Sequence, residues 1–366
     1  MVAGETSFLF SGIDSRKSSC NHDSVRAAQR AGTIYSRTGL PHSLMTTSPQ
    51  KPGAPSRAWI SLAIKTALTC AVVYFAAKQL LSHWEEVATY HWEINPVLMA
   101  ISVVAHLMTF VVLTVVWRIL MRGFGFEVPF PAAFKISYIA GLARYIPGRI
   151  WPMFGMVYYA KQARLDPKAT VASWGVALLY GFPTSFLVAL LSVAIHPEFL
   201  QSAETSVYST GVWLLTGLTV VMSLVLIFAP QASLVLLNWA LRLVRRPEVS
   251  LRLDKTVALK VYFGYFFGWI CYGISFWLFL KSIDTHAALP VTAGVGSFVL
   301  AYQIGYLTLF SPGGLGTREL ALTAMLTPFL GGIAAGVAIA SRLWSLCVEI
   351  MAAGIAALIK LDKGSD

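Results

Sequence analysis

Six stretches of the chain are apolar with little interruption for about 20 residues or more: Trp59 to Leu81, Pro96 to Met121, Ala169 to Ile195, Ser209 to Ala229, Val257 to Leu280 and Ile333 to Ile359. A helix of about 20 residues reaches across the roughly 30 Å of hydrocarbon in a bilayer, so each stretch predicts a membrane crossing. Two more stretches, Phe130 to Lys168 and Leu289 to Leu330, start in the same way but are broken. Pro147, Gly148 and Pro152 interrupt the first, which also carries Arg144, Arg149, Lys161 and Arg164. Ser311-Pro312-Gly313-Gly314-Leu315-Gly316 interrupts the second. Broken backbone at membrane depth needs protein or water around it, so each predicts a re-entrant helical hairpin. The expected fold class is all-α: a polytopic integral membrane protein with about six full crossings and two re-entrant hairpins.

Residues 1–58 are rich in Ser, Arg, Thr and Gly, without an apolar period or a signal-peptide core, and read as a disordered polar tail. Met45 precedes the polar run TTSPQKPGAPSR and is an expected alternative start of translation.

Composition agrees with the membrane reading. The 366 residues are 56% hydrophobic and 12% charged, too few charges to cover a water-soluble surface of this size. The net charge of +11 falls between apolar runs and forms no basic stripe, which argues against a nucleic-acid partner. Cys20 lies in the tail, while Cys70, Cys271 and Cys347 lie in apolar runs without CxxC spacing, so free thiols and no metal are expected. His83 and His91 share a short loop and read as solvated side chains, not ligands. No cofactor is implied.

Loop charges orient the chain. Ser82 to Asn95 carries Glu85, Glu86 and Glu93, and His196 to Tyr208 carries Glu198 and Glu204; both read as outside. Pro230 to Thr256, with Arg242, Arg245, Arg246, Arg252 and Lys255, and the basic region from Arg118 to Lys168 read as cytoplasmic. Both termini are then cytoplasmic, including residues 361–366. The segments fall into a first membrane repeat, 59–195, and a second, 209–360, of inverted orientation. A shift of 165 residues matches Ile139 with Ile304, Leu142 with Leu307, Pro147 with Pro312 and Gly148 with Gly313. Broken elements at matching places in inverted halves mark the central site of a transporter.

The breaks have a physical use. Pro147 and Pro312 end a helical hydrogen-bond ladder, and Gly148, Gly313, Gly314 and Gly316 permit tight turns. A helix beginning after Gly316 would direct free N–H groups at the break, where a phosphate could sit. Charges within membrane helices cost roughly 2.5–3.5 kcal/mol each on insertion scales. Arg342 and Glu349 are seven residues apart, hence on one helical face about 10 Å apart along the axis, facing into the bundle. They serve an ion-pair network with Arg318 or Glu319, or the substrate. Arg144 and Arg149 either snorkel to cytoplasmic phosphates or touch substrate. Trp117, Trp151, Trp269, Tyr272 and Trp344 read as interface anchors or packing.

The pieces Arg144-Tyr145-Ile146-Pro147-Gly148-Arg149 and Ser311-Pro312-Gly313-Gly314-Leu315-Gly316-Thr317-Arg318-Glu319, set in this hydropathy pattern, resemble the lysylphosphatidylglycerol synthase transmembrane family over about residues 59 to 360. The resemblance implies a flippase-like domain that moves aminoacylated phosphatidylglycerol, or in related branches a polyprenyl-linked glycolipid, across the cytoplasmic membrane. In bifunctional members a soluble aminoacyltransferase domain follows the membrane part. This chain stops at Asp366, so aminoacyl transfer by it is not expected, and a separate synthase or glycosyltransferase is the expected partner. The expected substrate-binding residues are Arg144, Arg149, Arg318, Glu319, Arg342 and Glu349. The alternative is a membrane enzyme or accessory subunit of lipid or cell-envelope glycan synthesis.

Overall fold

The computed structural model describes residues 74, 81, 84–145, 151–196, 206–243, 245, 248–249, 251–308 and 314–360. Among them the chain is helical throughout, without a strand. The polar tail, most of the first expected crossing and the C-terminal residues 361–366 lie outside the described residues, as do Pro147, Gly148, Arg149, Pro312 and Gly313.

Helix starts follow from side chains just ahead of the apolar runs. Asn95 caps α2 (Pro96–Gly123), its Oδ1 accepting from the Val97 and Leu98 N–H groups at 3.1 Å. Asp166 does the same for α5 (Pro167–Ile195) and Asp254 for α8 (Lys255–Ile283). Each satisfies N–H groups that the helix itself leaves unpaired, and Pro96 and Pro167 occupy the first turn, where no N–H is needed. A short α1 (Trp84–Thr89) precedes α2, and α6 (Ser206–Phe228) follows α5.

The two interrupted stretches are pairs of short helices. The first is α3 (Phe130–Gly141), a 3₁₀ turn at Leu142–Tyr145, and α4 (Trp151–Gln162); the second is α9 (Val291–Leu307) and α10 (Thr317–Leu330). At 12, 12, 17 and 14 residues, none reaches the 20 or so that a bilayer requires. The last helix is α11 (Ala334–Leu358).

Among the described residues four helical stretches are long and apolar enough to cross a membrane, five if the bent pair α6 and α7 is counted as one. One of the four, Thr317–Leu358, is helical for 42 residues, which would be about 63 Å if straight. The ion pair between Arg342 and Glu319, 23 positions apart, shows that it doubles back, and Gly331 at φ 58° makes the reversal. Only α11 in that stretch has the length of a crossing.

Pro230 to Thr256 is not all loop. It contains α7 (Gln231–Leu243), set at 111° to the preceding helix. Pro230 cannot continue the ladder of α6, and Ser233, Leu234 and Leu237 then give the new helix one buried face.

Contacts sort the helix ends into two groups. At one end the Asn95 N–H donates to the Ser282 carbonyl at 2.7 Å, His196 Nε2 lies 2.7 Å from Thr292 Oγ1, and the His196 and Phe329 rings are 6.0 Å apart. The start of α2, the end of α5, the end of α8, the start of α9 and the end of α10 therefore gather there. At the other end Met121, Val128, Ala133, Ala160, Leu165 and Ala169 form one cluster, and Lys135 Nζ donates to the Ile359 carbonyl at 2.5 Å. That end gathers the end of α2, the start of α3, the end of α4, the start of α5 and the end of α11. α2 packs along α8, and α5 along α9.

Candidate functional site

The second break shows how local chemistry places a charged site. Gly314, at φ 72°, lies so close to α9 that a Cβ there would stand 2.7 Å from the Gly305 carbonyl oxygen. Only glycine combines that backbone with that approach. Gly316, at φ 81°, opens α10, and its N–H donates to Glu319 Oε2 at 2.6 Å. A carboxylate three positions into a helix, reaching back to its first N–H, is half of a capping box and is favoured by the helix dipole. One N–H at the break, that of Gly316 itself, is thus taken by the chain's own carboxylate.

With α10 started in this way, Arg318 points inward and is only 3% exposed. Its guanidinium lies over the Phe298 ring at 4.7 Å and the Tyr302 ring at 5.3 Å, and Nη2 donates to the Tyr272 hydroxyl at 3.4 Å. Aromatic faces replace part of the lost hydration of a buried cation. Nη1 has no hydrogen-bond partner, and among the described residues Arg318 forms no ion pair.

The other charges meet Arg318 from the first break and from α11. Arg144, in the 3₁₀ turn, turns into the bundle instead of snorkelling outward. Its Nη1 stands 3.5 Å from Glu349 Oε1 and 3.4 Å from the Tyr302 hydroxyl. Tyr145 donates its hydroxyl to Glu349 Oε2 at 2.7 Å. Arg342 Nε is 3.5 Å from Glu319 Oε1, and its guanidinium lies 5.5 Å from the centre of the Tyr145 ring. Five of the six expected substrate-binding residues therefore form one cluster; the sixth, Arg149, lies outside the described residues. Arg342 and Glu349 share a face of α11 as their spacing requires, yet each takes its partner from a different element.

A cavity of about 290 Å³ opens beside this cluster. Arg144, Arg318, Arg342 and Glu349 line its polar part, and Leu113, Met156, Trp174, Leu178, Phe182 and Tyr265 line its apolar part. Charged groups and an apolar wall in one space suit an amphiphile better than a wholly polar solute.

Several site residues escaped the sequence reading. Tyr145 and Tyr302 supply hydroxyls to the cluster, and Tyr272, read as packing, supports Arg318. The available signal was the demand of a buried phenol for a hydrogen-bond partner. His106, in α2, is fully buried against Phe110, Tyr272 and Trp344. Its Nδ1 lies 3.0 Å from Ser275 Oγ, which donates to the Tyr272 carbonyl at 2.7 Å. The network therefore assigns the proton to Nδ1 and leaves Nε2 unpartnered. Among the described residues no three His, Cys, Asp or Glu side chains are grouped to hold a metal ion, and Cys271 and Cys347 are free.

No curated protein and no solved structure matches this chain. A family model does, that of the lysylphosphatidylglycerol synthase TM region, over residues 60–353. With helices of membrane-crossing length, two broken helical stretches and a match across most of its length, the chain belongs to the family of the lysylphosphatidylglycerol synthase transmembrane region, multi-pass membrane proteins linked to lipid handling.

Proposed function

We propose that the protein is a flippase-like transporter that moves a phosphate-bearing lipid across the cytoplasmic membrane. The observation that carries this reading is Arg318: a buried guanidinium beside an amphiphilic cavity, with one nitrogen unpartnered and, among the described residues, no carboxylate in ion-pair reach. Such a charge is costly at membrane depth unless it meets an anion, and guanidinium matches phosphate oxygens. In this mechanism the phosphate rests against Arg318 and Arg144 while acyl or polyprenyl chains follow the apolar wall.

The architecture supports alternating access. We read α3–α4 and α9–α10 as re-entrant hairpins that enter from opposite faces and bring their tips together at Arg144 and Arg318. In support of this reading, the start and the finish of each pair lie among the contacts of one end of the bundle. The 165-residue shift extends to whole elements: α3 becomes 295–306, within α9, and α4 becomes 316–327, against α10. The same shift brings α2 near α8 and α5 near α11, the pattern of an inverted repeat around a central site. The end with Arg122, Lys161, Arg164, Lys168 and Lys255 is assigned to the cytoplasm by the positive-inside rule.

The test is Arg318→Gln in proteoliposomes with a tail-labelled phosphodiester lipid. Arg318 has no ion-pair partner to strand, so the variant should fold and keep its melting temperature while translocation falls by about tenfold or more, the equivalent of one charge-assisted hydrogen bond. A folded Arg318→Gln protein that moves lipid at the parental rate would falsify this reading.

A further inference from the structure

The charge ledger of the cavity narrows the headgroup, an inference that rests on the transport reading. Among the described residues three guanidiniums line the space, Arg144, Arg318 and Arg342, and one carboxylate, Glu349. Both oxygens of Glu349 are engaged, Oε1 by Arg144 at 3.5 Å and Oε2 by the Tyr145 hydroxyl at 2.7 Å. The other carboxylate of the cluster, Glu319, does not line the cavity. Its Oε2 is held by the Gly316 N–H and its Oε1 faces Arg342. Among the described residues two cations are thus matched by two anions, and one positive charge, on Arg318, is left over.

We infer that the site selects a headgroup bearing a single negative charge, an amine-free phosphodiester, and discriminates against headgroups that carry an ammonium. A phosphodiester monoanion neutralises Arg318 and can accept from its unpartnered Nη1. An ammonium in the same space would face three guanidiniums, and the one carboxylate beside it already accepts from two donors. Like-charge contacts of this kind cost several kcal/mol and are a common means of rejecting a wrong partner.

The experiment uses the full chain in proteoliposomes and three tail-labelled lipids of equal acyl composition: phosphatidylglycerol, its lysyl ester and phosphatidylcholine. Phosphatidylglycerol should move fastest and the lysyl ester at least about tenfold more slowly, with phosphatidylcholine between them. Tyr145→Phe frees Glu349 Oε2 to accept from an ammonium, so it should narrow the ratio between the rates of phosphatidylglycerol and its lysyl ester, whatever its effect on either rate alone. A lysyl ester or phosphatidylcholine moved as fast as phosphatidylglycerol, or a gap that Tyr145→Phe leaves unchanged, overturns the headgroup inference and leaves the transport reading standing. If none of the three lipids moves, the transport reading fails, and selectivity is then decided by thermal stabilisation of the purified protein: equal stabilisation by all three overturns it, and stabilisation by phosphatidylglycerol above the others supports it.

Discussion

Two ionic groups in this protein differ in a way that reverses the usual reading of distance. Arg122 and Glu127 make the better pair by geometry, with two charge-assisted hydrogen bonds of 2.7 and 2.8 Å. Their side chains are 64% and 71% exposed. The Arg144–Glu349 and Arg342–Glu319 contacts are both 3.5 Å, yet the two glutamates are only 6% and 10% exposed. Water screens the first pair and competes for each of its hydrogen bonds, whereas the glutamates of the second group have little solvent to fall back on, although Arg144 is 32% exposed. The environment of a charge, more than the length of its contact, decides what its removal costs. It also explains how the interior group can serve a substrate: a charge without water binds an anion strongly.

Glu319→Gln gives the strongest test of that contrast. The neutral side chain takes the carboxylate away from Arg342 and weakens the cap on Gly316, so it should lower the melting temperature in detergent by several degrees, on the order of 2 kcal/mol. A melting curve that overlays the parent would break the comparison. Gly314→Ala asks whether the backbone beneath the charges matters as much. At φ 72° and 2.7 Å from the Gly305 carbonyl, the added methyl must push α9 and α10 apart, at a cost of about 1–3 kcal/mol. It should reduce transport more than stability, because Arg318 moves with α10. Parental transport and stability would show that the close approach is not required.

The Tyr90–Asp284 hydrogen bond of 2.5 Å, at the acidic end, is an intermediate case. The carboxylate it donates to, together with partial burial and nearby charge, pushes the Tyr90 phenol up to about 12 from 10.0. The folded state then holds this proton more tightly than the unfolded state. Its contribution is complete below the unfolded value and is lost as pH rises through the folded one, so stability should fall between about pH 10 and about pH 12. Tyr90→Phe should flatten that part of a stability profile; an unchanged slope would place the alkaline sensitivity elsewhere. The smallest effect belongs to Arg122→Gln, which should leave the melting temperature within error at physiological salt. A clear loss there would mean that the exposed pair is less screened than its exposure implies.

The sequence by itself determined what depends on neighbours along the chain. Runs of about 20 apolar residues foretold α2, α5, α6, α8 and α11, because length and composition alone meet the hydrocarbon requirement. Asn95, Asp166 and Asp254 marked helix starts, and the Pro-Gly segments marked where α9 stops and α10 begins. Five charged residues of the cluster were also visible, since a charge in an apolar run is conspicuous. The tertiary structure alone decided who meets whom. Glu349 finds Arg144 and Tyr145, 205 and 204 positions away, not a charge on its own helix. Arg342 takes Glu319 because Gly331 folds α10 back on α11, and Arg318 is thereby left with aromatic rings and no carboxylate. His106 was hidden for the same reason. Burial is set by packing among α2, α8 and α11, and apolar periodicity carries no record of which buried polar atom will find a partner.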